Sequence, residues 1–266
     1  MARTMIKVIA GAIKHPTNRT LEEFQHYWAE KHGPMFSKSP HLRRYVQHIT
    51  LLEAYDRPDS KPTHDGASMF WYDDLDTLLH PPASPKLSAV IKPDDGDIYD
   101  WYVASKRYGD PDQITIQDNT REDDRQLFDR SSDWPLDHRR VSCIAAEHVI
   151  VDGPTTPSMV KVIWSALRRP GLSQQDLFTH WLEVHGPLAA KAKGMRRYVQ
   201  NHAVPGASDI RGGPTHDGFS EAWFDDLPSF YKTIASPEWQ ALREDGRHLF
   251  AQPLSIVIAR ERVQKG

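Results

Sequence analysis

Several features that would point to a particular class of protein are scarce or missing in this sequence. It has a single cysteine, Cys143, so no disulfide can form within the chain. No apolar run approaches the roughly 18 residues that span a bilayer, and residues 1–14 lack the apolar core of a secretion signal. The sequence therefore predicts a cytoplasmic protein that has no membrane partner.

The sequence also has no large excess of positive or negative charge. The chain has 33 Lys and Arg against 36 Asp and Glu, and the two signs are interspersed, which does not favour nucleic acid as a partner. No glycine-rich phosphate loop indicates a nucleotide, and the fourteen histidines show no close spacing typical of metal ligands. We therefore expect no cofactor and no metal.

The chain does contain an internal repeat. Four pairs of similar segments keep one collinear order and a separation of 152 to 154 residues, and they begin at Met5 and Met159, Trp28 and Trp181, Arg43 and Arg196, and Thr63 and Thr215. We assign residues 1–151 to a first copy, residues 152–158 to a linker rich in Pro and Gly, and residues 159–266 to a second copy. Beyond Pro85 the separation falls to 122, so the first copy carries roughly 30 additional residues within 86–119, either a lid or a surface excursion.

Each copy has the same predicted order of elements. An apolar strand precedes a helix that opens with the capping-box spacing of Thr20 and Glu23, carries Trp28 and His32 on its buried face, and ends at Gly33-Pro34. Two strands, a second helix from Asp73 that continues near residues 122–128, and a last strand follow.

The order is βαββαβ, the ferredoxin-like plan, in which both helices cover one face of a four-stranded sheet. The other face stays bare. We therefore predict an α+β fold in which the two fused copies press their bare faces together as an intramolecular, pseudo-dimeric α/β barrel with an interior cavity.

The tryptophan helix with "HGP", followed by "RRYVQ" and by "NH" at Asn201, resembles the EthD family of dimeric α/β barrels. The resemblance covers nearly the whole chain and implies the same fold, with a pocket inside each sheet. Relatives in the wider superfamily include cyclases, dehydratases, decarboxylases, isomerases and cofactor-free monooxygenases of aromatic or polyketide-like molecules, so the fold does not name the reaction. Haem also binds to barrels of this architecture, but one histidine cannot discriminate that case.

The resemblance implies candidate catalytic residues at the motif positions. The histidines of the two helices and the tyrosines of the following strand form the predicted pairs, in which a histidine takes a proton from carbon and the neighbouring tyrosine stabilises the oxyanion. Because the first copy departs from the motif after its tyrosine, the two pockets should differ chemically. The candidate catalytic residues are His32, His185, His48, His202, Tyr45 and Tyr198.

Further side chains are predicted to bind the substrate. Several have an ordinary structural alternative: the lysines could form salt bridges, the tryptophans could belong to the core, and the "THDG" segments could be simple turns. The catalytic candidates His32 and His185 could likewise cap a helix C-terminus. The substrate-binding candidates are Asn201, Gln47, Gln200, Trp28, Trp181, Trp71, Trp223, Lys7, Lys161, His64 and His216.

We therefore predict a cofactor-independent lyase of the dehydratase, cyclase or decarboxylase type that acts on an aromatic or polyketide-like carbonyl compound by histidine-based acid–base catalysis. A cofactor-free monooxygenase and a non-catalytic small-molecule binding protein stay open as alternatives. The expected partner is a small-molecule substrate, and a homodimer is compatible with the sequence.

Overall fold

The structure is a computed structural model. It describes residues 5–14, 19–39, 41–57, 60–79, 142–207, 215–252 and 254–266. The insertion at 86–119 and the predicted continuation of the second helix at 122–128 lie outside these ranges. None of the helices within them is long and apolar enough to cross a membrane.

Within the described ranges, the first copy supplies four strands and three short α-helices. Their bounds are β1 Ile6–Ala12, α1 Leu21–Tyr27, a π-helical turn Trp28–His32, α2 Gly33–Phe36, β2 Arg44–Thr50, a 3₁₀ turn Leu52–Asp56, β3 Gly66–Tyr72, α3 Leu75–Leu79 and β4 Ser142–Val151.

The second copy repeats this order with longer helices near its end. Its bounds are β5 Val160–Ala166, α4 Gln174–His180, a π-helical turn Trp181–His185, α5 Gly186–Ala189, β6 Met195–Ala203, β7 Gly218–Phe224, α6 Leu227–Ile234, α7 Pro237–Leu249 and β8 Ile256–Lys265.

The eight strands form one closed barrel in the order β1-β3-β2-β8-β5-β7-β6-β4. Each copy contributes four consecutive strands, and the two seams are the antiparallel pairs β2–β8 and β4–β6. Because every strand has two neighbours, the barrel leaves no sheet edge open among these strands. The prediction of two fused ferredoxin-like units that close into a barrel is confirmed.

The start of α1 follows the predicted capping box. The Thr20 hydroxyl accepts a hydrogen bond from the Glu23 amide at 3.2 Å, and the Glu23 carboxylate accepts one from the Thr20 amide at 2.8 Å. Phe24, Trp28 and His32 are all buried on the side that faces the sheet. The helix period therefore predicted the inner face correctly.

The predicted end of the helix at Gly33-Pro34 is wrong. Gly33 has right-handed helical angles (φ −56°, ψ −51°), and the chain continues through α2. Pro34 fits there because it stands in the first turn of α2, where its missing N–H costs nothing. His32 and His185 therefore lie within a helix rather than at a helix C-terminus, and the capping interpretation of both no longer applies.

The glycine is required for space. A Cβ atom at Gly33 would lie 2.5 Å from the side chain of Gln264 and 2.8 Å from that of Gln47. At Gly186, its counterpart, a Cβ atom would approach the Gln200 amide to 3.2 Å. In both copies, glycine lets a strand glutamine approach the helix backbone.

Alternate residues of each strand face the helices or the barrel interior. In the interior, a buried apolar cluster combines side chains of both copies, so at this level the barrel is filled by side chains rather than hollow. The cluster consists of Ile9, Val46, Ala67, Met69, Trp71, Cys143, Ala145, Ile163, Ala203, Phe219, Val257 and Ala259.

Candidate functional site

The sequence-predicted site residues separate into three groups. The barrel interior holds one group, the layer between sheet and helices holds the second, and the turns before β3 and β7 hold His64 and His216. The interior group is Lys7, Lys161, His48, Asn201, Trp71 and Trp223, and the helix-side group is Trp28, Trp181, His32, His185, Tyr45, Tyr198, Gln47, Gln200 and His202.

The interior group is organised around one carboxylate, Glu221 of β7. Glu221 forms ion pairs with Lys7 of the first copy and Lys161 of the second. Lys7 also contacts Glu147, and Lys161 lies 2.8 Å from the Glu261 carboxylate. Glu221 and both lysines are almost fully buried, so the lysines take the salt-bridge alternative.

The charges in this network are fixed by their neighbours. Burial alone would raise the pKa of the Glu221 carboxyl, but the two adjacent ammonium groups outweigh burial and lower it. At Glu261 the Lys161 ammonium likewise outweighs burial and holds the pKa of the carboxyl below its usual range. Neither carboxyl can therefore act as a proton donor near neutral pH.

His48 is held as a neutral imidazole. Its Nδ1 lies 3.2 Å from the carbonyl oxygen of Ala67, which only accepts, and its Nε2 lies 2.9 Å from the Lys161 ammonium, which only donates. Nδ1 therefore carries the proton. Burial and the Lys161 charge lower the pKa of His48 to about 4, although Glu261 and Glu221 partly offset them. Its lone pair is occupied by Lys161, so His48 has no base function in this arrangement.

The His48 environment makes barrel stability pH-dependent. The folded pKa of about 4 lies below the ordinary value of 6.5, so this contribution is complete above pH 6.5 and declines as the pH falls towards 4. We expect His48→Asn, which installs the residue found in the second copy, to lose about 2 kcal/mol less stability than the wild type between pH 8 and pH 5. Urea unfolding at both pH values measures this difference. Equal losses in both proteins would contradict it.

Two of the positions at which the copies differ belong to the charge network. Where the second copy has Asn201 and Glu221, the first has His48 and Met69. Met69 packs against the Lys161 ammonium, with its sulfur 3.8 Å away. The Asn201 amide donates to Glu221 at 2.9 Å. One glutamate thus bridges two symmetry-related lysines.

The interior tryptophans are contacted by cations directly opposite them on the paired strands. The Lys7 ammonium lies 5.0 Å from the Trp71 ring centre, and the Lys161 ammonium lies 4.2 Å from that of Trp223. Arg44 lies 5.0 Å from the Trp71 ring. These contacts assign both tryptophans to the charge network.

On the helix side, His185 and Asp245 form a hydrogen-bonded pair. His185 Nδ1 lies 2.7 Å from one carboxylate oxygen of Asp245, and His180 Nε2 lies 2.8 Å from the other. Burial would raise the pKa of Asp245, but its bonds to His185 and His180 outweigh burial and lower it. The carboxylate stays ionised and only accepts, so the neutral tautomer of His185 that fits this contact has its proton on Nδ1 and its lone pair on Nε2.

The surroundings of His185 are aromatic. The Phe250 ring meets His185 edge-on at 5.7 Å, and Trp181 meets Phe250 at 5.2 Å. Among the described residues, no hydrogen bond occupies His185 Nε2. The predicted partner Tyr198 does not bond His185, since the His185 hydrogen bond goes to Asp245 instead; burial raises the pKa of Tyr198, so its phenol stays protonated.

The first copy does not repeat this pair within the described residues. Tyr27 stands where the second copy has His180, and the counterpart of Asp245 is Asp123, which lies outside them. His32 contacts Phe36, with ring centres 6.2 Å apart, and Phe36 contacts Tyr45 at 5.6 Å. Tyr27 in place of His180 therefore makes the helix side of the two copies different as well.

His202 is a stacked ring within the helix-side layer. It lies against Trp181 at 4.6 Å, Phe178 at 4.7 Å and His148 at 4.4 Å. Burial, and to a lesser extent His148, lower its pKa to about 3, so His202 is neutral. Its Nε2 lies 3.1 Å from the Gln200 amide oxygen and donates to it.

The "THDG" segments are structural turns. Asp217 accepts hydrogen bonds from the Arg168 amide at 2.9 Å and from Gln174 at 3.2 Å, and it pairs with the Arg168 guanidinium. Asp65 accepts from the Lys14 amide at 2.8 Å. Each aspartate therefore ties its turn to the end of the copy's first strand.

A cleft of about 610 Å³ lies beside the second of these turns, bordered by His216, Asp217, Arg168 and Gln174. Asp217 binds both Arg168 and Gln174, and His216 Nδ1 lies 2.8 Å from the Thr215 hydroxyl. The hydrogen bonds of these side chains thus hold the turn together. In the part of the chain that the structure describes, no group of three or more His, Cys, Asp or Glu side chains could hold a metal ion.

A model of the EthD domain matches the chain twice, over residues 17–100 and 169–253. The two matches cover more than half of the chain. The chain belongs to the EthD domain family. Each copy of the repeat contains one match, and the second EthD match includes His180, His185 and Asp245.

The paired EthD domains share their fold with solved structures of low identity. An anthrone oxidase-like protein matches with a TM-score of 0.58 at 11% identity, over 99% of this chain and 94% of that chain. A Fusobacterium nucleatum protein, provisionally named a monooxygenase, matches with a TM-score of 0.52 at 8% identity, over 100% and 96%. An EthD family protein from Bacillus halodurans C-125 is 24% identical and covers 39% of this chain and 99% of its own, with a TM-score of 0.34. None of the curated proteins matches the sequence.

Sequence reasoning missed the carboxylates of this EthD protein. Glu221 was detectable, because the repeat aligns it with Met69 in an otherwise apolar strand. Glu147 and Glu261 also occupy equivalent positions on the last strands. The evidence for Asp245 in the sequence was weaker. It consists only of the dipeptide "ED", which the aligned segments at residues 122 and 244 share.

Proposed function

We propose that this EthD protein is an enzyme that removes a proton from carbon in a small aromatic or polyketide-like carbonyl compound, without a bound cofactor and with His185 as the base. The observation that carries this proposal is the 2.7 Å contact between His185 Nδ1 and Asp245. A carboxylate on Nδ1 orients the ring, leaves the Nε2 lone pair for the substrate and stabilises the imidazolium that forms.

The neighbouring side chains support a substrate of this class. Trp181 and Phe250 make the buried surroundings of His185 aromatic and apolar, which suits an aromatic substrate. A buried, protonated phenol such as that of Tyr198 is able to donate a hydrogen bond to an oxyanion. Asn201 has no such role in this proposal, because it faces the barrel interior.

The proposed reaction is a lyase step of the dehydratase type. His185 Nε2 takes the proton from the carbon next to the carbonyl, and the electron pair forms an enolate. The enolate then expels a β-hydroxyl group, which leaves as water after taking the proton from His185. A carbon–carbon double bond replaces the broken C–H and C–O bonds, and no oxidant is needed.

A cofactor-free monooxygenase is the second candidate. The fold similarity to an anthrone oxidase-like protein favours it, because anthrone oxidation also begins with loss of a proton from carbon. In that case molecular oxygen would react with the carbanion. The same base would serve both reactions.

Anthrone and an aromatic β-hydroxyketone are suitable probes. Under nitrogen in D₂O, NMR measures deuterium uptake at the acidic carbon, and in air an electrode measures oxygen consumption. We expect catalysed exchange, with water elimination from the β-hydroxyketone and no oxygen uptake. Oxygen uptake with anthrone would favour the monooxygenase. Binding, seen as tryptophan fluorescence quenching, without exchange would overturn the enzyme proposal and favour a binding protein.

A further inference from the structure

We propose that Gln200 is a positioning residue that holds the π-helical turn at Trp181–His185 and thereby sets His185 against Asp245. The inference deepens the proposed function and rests on it for its link to catalysis. It also changes the predicted role of Gln47 and Gln200, which the sequence suggested as substrate ligands.

The first step is the turn itself. In both copies, five residues from tryptophan to histidine form a π-helical turn within an otherwise α-helical segment. The Trp181 carbonyl accepts a hydrogen bond from the Gly186 amide, five residues on, and the Trp28 carbonyl accepts one from Gly33. Single π turns are rare and often occur at functional sites.

The second step is a side chain that reaches the same carbonyl. Gln200 Nε2 donates to the Trp181 carbonyl oxygen at 2.7 Å, and Gln47 Nε2 donates to that of Trp28 at 2.9 Å. Both glutamines are fully buried. A buried side-chain amide without a hydrogen-bond acceptor would lower the stability of the fold. Each glutamine is therefore expected to keep its bond to the tryptophan carbonyl.

The orientation of each amide is also fixed. His202 donates to Gln200 Oε1 at 3.1 Å. In the first copy, Gln264 has the role that His202 has in the second. It donates to Gln47 Oε1 at 2.7 Å and to the Ala29 carbonyl at 2.8 Å. Two different neighbours thus enforce the same amide orientation.

The third step connects the turn to His185. If the α-helical pattern ran through this segment, the Trp181 carbonyl would bond the His185 amide rather than that of Gly186. One residue corresponds to about 100° around a helix axis. A change of hydrogen-bond register would therefore rotate His185 relative to α7 and separate Nδ1 from Asp245. Gln200 stabilises the register in which the two meet.

The test compares Gln200→Met with Gln47→Met. Methionine keeps the length of the side chain but cannot donate to the carbonyl. Nitrogen-15 NMR of the histidine rings reports which nitrogen of His185 carries the proton, and carbon-bound proton exchange of anthrone under nitrogen reports the base activity.

We expect Gln200→Met to shift His185 from the Nδ1–H form towards Nε2–H and to lower exchange roughly 10- to 100-fold. Gln47→Met, which removes the same bond from the other copy, should leave the His185 spectrum and the exchange rate unchanged. Gln200→Leu, which also cannot donate to the carbonyl, provides a second variant if the methionine variant does not fold.

The outcomes separate the two proposals. A folded Gln200 variant with the wild-type His185 spectrum would overturn the positioning role, and so would equal effects of Gln200→Met and Gln47→Met. A shifted His185 spectrum in a protein whose wild type shows no exchange would retain the positioning role and contradict the base function.

Discussion

Replacement of Glu221 by methionine, the residue that the first copy carries at the equivalent position, is expected to lower the free energy of unfolding by about 3–5 kcal/mol. Glu221 is the shared partner of Lys7 and Lys161, both almost fully buried. Without it, Lys7 keeps Glu147 and Lys161 keeps Glu261, but each buried ammonium loses its central counterion. Urea or guanidinium unfolding measures the change.

Glu244→Gln is the matched control, because Glu244 lies on the same copy and its side chain is 63% exposed in a pair with Arg247. An exposed pair of this kind contributes little, so we expect a change below about 1 kcal/mol. Equal stability of Glu221→Met and Glu244→Gln would contradict the role of the network. Simultaneous replacement of Lys7, Lys161, Glu221 and Glu261 by methionine should restore stability, because the carboxylate that then remains, Glu147, is 41% exposed and needs no buried counterion.

The same network predicts a pH dependence. The folded pKa of Glu221 lies below its ordinary value of 4.5. Its stabilisation is therefore complete above pH 4.5 and is lost as the pH falls through the lower, folded pKa. Glu221→Met should lack this part of the acid transition.

Replacement of His185 by glutamine is expected to lower the rate of carbon-bound proton exchange by about 100- to 10,000-fold. Glutamine can still bond Asp245 but provides no basic nitrogen. Asp245→Asn should lower the rate as well, because an amide can donate to Nδ1 and thus favour the Nε2–H form. Exchange of anthrone protons under nitrogen measures both effects.

His248→Gln is the control for this series, since His248 is an exposed histidine on the same helix, α7, as Asp245. Its rate should equal that of the wild type. Retention of more than a tenth of the wild-type rate by His185→Gln would show that another group takes the proton.

The fold was predictable because it depends on patterns that the sequence repeats. Strand alternation placed Lys7 and Lys161 on the opposite face from Ile6 and Val160, and helical periodicity placed Trp28 inward. Both copies show these patterns, and their alignment also identified the last strand of each copy.

The site was less predictable, for two physical reasons. The π turn changes the helical register, and no residue type signals a single five-residue turn. The sequence therefore suggested Tyr198 as the neighbour of His185, whereas the structure pairs His185 with Asp245. The partners of the interior lysines come from distant strands: Glu221 lies 214 residues from Lys7 in the chain. These partners meet only when the barrel closes. Local sequence patterns, from which helices and strands are predicted, carry no information about such distant contacts.

A crystal structure of the protein with bound anthrone would decide where the chemistry occurs. The acidic carbon of the ligand is expected about 3–3.5 Å from His185 Nε2, with its ring against Trp181 or Phe250. A ligand bound beside Lys7 and Lys161 in the barrel interior, or in the cleft beside His216, with His185 out of reach, would contradict the assignment of His185 as the base.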